Sequence, residues 1–92
     1  MISLERQLKA LGDPVRFKII NLLPKSDNCC EKRFNVSDLS VELGIPQPTV
    51  SHHLNTLKNV GLVSSKKTCR DVYYWVNKDE VENIIEEIRQ VL

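Results

Sequence analysis

The sequence predicts a mainly α-helical domain with a small β-hairpin, an α+β fold of the winged helix-turn-helix type: four helices, a hairpin wing and a fifth, C-terminal helix. Three observations carry this prediction. Two short apolar-periodic segments meet at Gly44 and close at Gly61; β-branched and aromatic residues flank the polar group Thr68-Cys69-Arg70-Asp71; and both ends of the chain are amphipathic. With 92 residues the chain is one small domain over 1–92, whose ratio of buried to exposed surface is poor unless it associates.

Each element has a local signature. Ser3 to Leu11 sets Leu4, Leu8 and Leu11 on one helical face, and Gly12 ends it. Asp13-Pro14 joins a capping acid to a first-turn proline and opens a second helix, with Val15, Phe17, Ile19, Ile20, Leu22 and Leu23 as apolar positions before Pro24. Asn35 and Asp38 have the spacing of a capping box, so a third helix starts near Val36 and stops at Gly44, where glycine supplies left-handed backbone. Pro46 and Pro48 lack amide hydrogens and fit only before or within a first turn, which starts the fourth helix near Gln47. Gly61 closes that helix, just after Lys58 has placed a positive charge near its negative end. Val36, Leu39, Leu43, Ile45, Val50, Leu54, Leu57 and Leu62 make one inward stripe through this helix-turn-helix of about residues 36–60. The wing, about 62–76, pairs Leu62–Lys67 with Val72–Val76, and its Tyr73, Tyr74 and Trp75 are expected mainly in the core. Asn77 and Glu80 repeat the capping-box spelling ahead of a helix over about 78–92, whose Val81, Ile84, Ile85, Ile88, Val91 and Leu92 form a continuous stripe.

The outward positions of the fourth helix carry the chemistry. Gln47, Thr49, Ser51, His52, Asn55 and Thr56 are short hydrogen-bonding residues where a merely solvated helix favours Glu and Lys pairs, and such a face suits base edges in a DNA groove. Lys66, Lys67 and Arg70 at the hairpin tip can reach phosphates or a minor groove, with Lys58 beside them. Total charge does not reveal this, since Lys+Arg number 13 against 12 Asp+Glu. The distribution does: Ile45 to Arg70 contains cations and no acid, whereas Asp79, Glu80, Glu82, Glu86 and Glu87 cluster near the C-terminus, so a polyanion is steered to one end. No glycine-rich phosphate loop, nucleophile elbow or metal cluster of catalytic spacing is present, so an enzyme is not expected.

The terminal segments, about 3–11 and 78–92, offer more apolar surface than the remaining core can cover. Leu4, Leu8, Ile84, Ile85, Ile88 and Val91 are therefore expected in a homodimer interface, and two-fold symmetry would set two reading helices about one turn of DNA apart.

Leu8-Lys-Ala-Leu-Gly-Asp-Pro-Val-Arg-Phe-Lys-Ile-Ile-Asn-Leu-Leu23, Val36-Ser-Asp-Leu39, Gln47-Pro-Thr-Val-Ser-His-His-Leu54, Gly61-Leu-Val63 and Arg70-Asp-Val-Tyr-Tyr74 together resemble the ArsR/SmtB family of winged-helix repressors. The resemblance runs over most of the chain. It implies a homodimer built from the first and last helices, double-stranded operator DNA bound by the fourth helix and the wing, and release on an inducer, often a metal ion.

The chain departs from that family at the inducer. Where the family's thiolate pattern reads Cys-Val-Cys-Asp-Leu, this chain has Asn35-Val-Ser-Asp-Leu39, and its terminal helix has no histidine for the family's other metal site. His52 and His53 are adjacent and point about 100° apart on a helix, so they cannot chelate one ion; His52 is expected at DNA and His53 in a structural role. Cys29, Cys30 and Cys69 remain. Lys32 and Arg33 flank the first pair and could lower a thiol pKa, and a soft ion such as trivalent arsenic or antimony wants two or three thiolates. Redox or persulfide sensing and no sensing at all stay open beside metalloid binding. A winged helix acting only as a protein-interaction module stays open as well. With no signal peptide and no apolar run long enough for a membrane, a cytoplasmic location is expected.

Overall fold

The computed structural model describes residues 3–25 and 34–92. Its elements run α1 (Leu4–Leu11), α2 (Pro14–Leu22), α3 (Val36–Leu43), α4 (Gln47–Asn59), β1 (Val63–Thr68), β2 (Asp71–Val76) and α5 (Lys78–Val91), the winged helix-turn-helix order expected from the sequence. The caps are made as spelled for the middle helices. Asp13 accepts from the amides of Val15 and Arg16 at 2.8 and 3.2 Å. Asn35 accepts from the Asp38 amide at 2.8 Å while the Asp38 carboxylate accepts from the Asn35 amide at 3.2 Å, a complete capping box. Gly44, at φ 69°, ends α3. After α4 the Gly61 amide donates to Lys58 O and the Leu62 amide to Leu57 O, both at 3.0 Å, the paired bonds of a Schellman turn that needs the φ of 78° at Gly61.

Helix α4 sits at the centre, packed on α1, α2, α3 and β1. Leu39, Val50, Leu54, Leu57, Leu62, Ile19, Val63 and Val76 are fully enclosed around it. The strands form an antiparallel ladder from Val63 opposite Val76 to Thr68 opposite Asp71. The outer edge of β2 is also covered: the amides of Val76 and Tyr74 donate to the carbonyls of Pro24 at 2.8 Å and Phe34 at 3.4 Å. An edge strand is thereby protected by the chain leaving α2 and the chain entering α3.

Four expectations are corrected. Asn77 begins α5 without a side-chain cap, because its amide group is bonded elsewhere: Nδ2 donates to Gly61 O at 2.8 Å and Oδ1 accepts from Ser64 Oγ at 2.7 Å. Tyr73, Tyr74 and Trp75 are half-buried and not core, with Tyr74 packed against the core's margin and Val76 supplying the buried contact of that strand. Phe17 is 54% exposed, since it lies about 200° around α2 from both Val15 and Ile19, whose face turns inward. Ile84, expected between protomers, is 3% exposed in the single chain and belongs to its own core.

Candidate nucleic-acid interface

The surface of interest begins with how α4 is held. Val50, Leu54 and Leu57, three and four residues apart, are locked into the core, so the opposite side must face outward. Gln47, Thr49, His52 and Asn55 are exposed there, and Ser51 and Thr56 are half-exposed. Pro46 at the N-cap makes no side-chain cap, and the first turn holds no acidic residue, so the helix presents its positive end and its polar row together. Thr56 differs from the others: its hydroxyl donates to His52 O at 3.1 Å, back onto its own helix.

Lys58 lies about 16 Å further along the axis than Gln47. Its Nζ donates to Ser65 Oγ at 2.7 Å, bracing the C-terminal end of α4 against β1. The wing then turns through Cys69 and Arg70 alone, between the last pair Thr68 and Asp71. Cys69 takes φ 57°, the sole non-glycine residue with positive φ among the described residues, where a two-residue hairpin ordinarily uses Gly, Asn or Asp. Lys66, Lys67 and Arg70 are exposed around this turn. Consecutive strand residues face opposite ways, so Lys66 and Lys67 address different sides of the ribbon. Asn35 at the start of α3 donates to Asp71 Oδ1 at 3.3 Å, fastening the wing's turn to the helix-turn-helix.

The histidines separate as their geometry requires. The rings of His52 and His53 lie 5.8 Å apart between centroids, with His52 exposed. His53 turns inward, and its Nδ1 is buried without a partner. It is near Asp13, whose carboxyl is held below the usual range chiefly by the Arg16 amide, then by the Val15 amide and by the charges of Arg16 and His53. Of the thiols, Cys69 is free and exposed, whereas Cys29 and Cys30 lie outside the described residues. Among the described residues no group of three or more His, Cys, Asp or Glu side chains could hold a metal ion, so these residues by themselves do not fit one.

The apolar residues expected between protomers divide. Leu4 and Ile88 are half-buried at the core's edge, while Leu8 at 40%, Ile85 at 48% and Val91 at 79% exposure stand free of it.

Sequence reasoning missed Gln7. It is the one buried polar residue among those described, at 5% exposure, and its Nε2 donates to Val60 O at 3.0 Å and to Glu80 Oε2 at 3.2 Å. The signal was present: Gln7 follows Leu4 by three residues and precedes Leu11 by four, so it shares their face as closely as Leu8 does.

Residues 13–65 match the family described as bacterial regulatory proteins of the arsR family. The chain is 39% identical over 83 residues to an uncharacterized HTH-type transcriptional regulator of Methanocaldococcus jannaschii, covering 90% of this chain and 88% of that protein. It is 36% identical over 78 residues to the cadmium resistance transcriptional regulatory protein CadC of Listeria innocua, covering 85% of this chain but 61% of that longer protein. Its fold is similar to an ArsR-like transcriptional regulator from Rhodococcus, with TM-score 0.83 and 25% identity over 96% of this chain and 75% of that one. A homodimeric winged helix-turn-helix DNA-binding domain from Mycobacterium bovis is similar at TM-score 0.72 and 25% identity, over 95% and 75% of the two chains. No helix of the described residues is long and apolar enough to cross a membrane.

Proposed function

The chain belongs to the ArsR/SmtB family of transcriptional regulators, whose fold and relatives are those of regulators and not of enzymes, and from that premise we propose that it is a homodimeric repressor bound to double-stranded operator DNA. Gln47, Thr49, Ser51, His52 and Asn55 read bases in the major groove, and Lys66, Lys67 and Arg70 hold the backbone or the adjacent minor groove, with Lys58 bracing the two. The supporting observation is the outward row on α4: short polar side chains, no acid, an uncapped positive helix end, and the basic wing fastened beside it by Lys58 and Ser65. The dimer reading is supported by the free apolar surface at Leu8, Ile85 and Val91 and by the similarity to a homodimeric domain.

Base and phosphate contacts separate in a binding titration. Ser51→Ala should cost about 1–3 kcal/mol and relax specificity, whereas Lys67→Ala should weaken all sequences alike and lower the salt slope by about one unit. No salt-dependent binding to any operator-like duplex would favour the protein-interaction module.

The inducer we propose is a soft, thiophilic ion. Similarity to a cadmium resistance regulator supports a metal response, and Cys29, Cys30 and Cys69 are the thiols such an ion would take. Arsenite or cadmium should weaken operator binding of the wild type by about 1–3 kcal/mol and leave Cys29→Ser/Cys30→Ser unchanged. Release by an oxidant or a persulfide donor, with neither ion active, assigns the thiols to redox sensing instead.

A further inference from the structure

Three successive backbone carbonyls at the exit of α4 are taken up by groups from the two end helices. Val60 O accepts from Gln7 Nε2 of α1 at 3.0 Å, Gly61 O from Asn77 Nδ2 at the start of α5 at 2.8 Å, and Leu62 O from the Asn77 amide at 2.9 Å. Val60 is the C-cap residue, whose carbonyl has no partner within the helix, and Gly61 and Leu62 follow it, so these donors anchor the chain as it leaves α4. Gln7 does more than satisfy one of them. The same Nε2 also donates to Glu80 Oε2 at 3.2 Å, so one buried amide joins α1, α4 and the first turn of α5. An apolar residue would serve the inward face of α1 without the cost of burying an amide, and would leave α4 free to rock against α1 and α5.

We propose that Gln7 is a positioning residue that fixes the angle of α4 against α1 and α5, and thereby the separation of the two reading helices in the dimer. The inference rests on the proposed reading of the chain as a dimeric operator binder. Its consequence is specific. A helix held at a fixed angle engages the second half-site as an intramolecular event at high effective concentration, whereas a loosened one loses that advantage without altering its own base-facing residues.

The experiment uses the full chain, a duplex recovered by in vitro selection from a randomised library, and the same duplex with one half-site scrambled. Gln7→Leu should lower affinity for the complete duplex by about tenfold and leave affinity for the single half-site within about twofold. Glu80→Ala, which removes only the α5 acceptor, should show a smaller loss in the same direction, and Glu80→Gln, which keeps an acceptor oxygen, should match the wild type. If Gln7→Leu does not fold, the contrast between Glu80→Ala and Glu80→Gln decides. Equal losses on both duplexes would make Gln7 a support of the fold alone, and no loss on either would remove the role altogether. A wild type that does not distinguish the complete duplex from the half-site would instead overturn the dimeric reading, and the positioning role with it.

Discussion

Ile85→Asp is expected to convert the dimer into folded monomers. In the single chain Ile85 is 48% exposed on α5, so an aspartate there meets water and leaves the protomer's own core, including the enclosed Ile84 one position away, unchanged. In the proposed interface the same carboxylate would be buried without a partner, at a cost of several kcal/mol, and two-fold symmetry would impose it twice. Sedimentation should therefore show a monomer at micromolar concentration with helical circular dichroism retained, and affinity for a two-half-site duplex should fall to that of one half-site. Val91→Asp, at 79% exposure, should act in the same direction. A dimer that survives Ile85→Asp places the interface elsewhere.

Leu54→Ala should be strongly destabilising. Leu54 has no exposed surface and belongs to the enclosed core around α4, so its loss opens a cavity costing about 2–5 kcal/mol. For a domain of this size total stability is about 5–15 kcal/mol, and each kcal/mol moves the melting temperature by roughly 4–8 °C. The exposed Thr49→Ala, on the same helix, should stay within about 0.5 kcal/mol. Denaturant titrations at fixed protein concentration separate the two, since dimerisation makes stability depend on concentration. A loss at Leu54 below about 1 kcal/mol would mean that α4 is not seated as described.

Signals that act locally were legible in the sequence. Asp13-Pro14, Asn35 with Asp38, Gly44 and Gly61 act within one turn of themselves, and each forms the bonds its spelling predicts. Asn77 and Glu80 carry the same capping spelling and fail, because Gly61 and Gln7 approach from far along the chain and take their side chains first. The spacing that puts Leu4, Leu8 and Leu11 on one stripe of α1 fits Gln7 equally; residue type concealed a buried position. Phe17 and the wing aromatics show the converse, apolar residues whose place is fixed by which side of α2 or of the ribbon the core lies on. The positive φ at Cys69 is set by the two-residue length of the wing turn and not by any preference of cysteine. The outward row on α4 was legible because the inward stripe of Val50, Leu54 and Leu57 leaves one direction for it.

Whether α4 and the wing read duplex DNA as a symmetric pair is decided by an anisotropy titration of a selected duplex against its scrambled counterpart at two salt concentrations. The expected result is two protomers per selected duplex, a preference over the scrambled duplex of at least about 10³-fold, and affinity on both that falls steeply as salt rises. Equal affinity for the two sequences, or binding indifferent to salt, would contradict it.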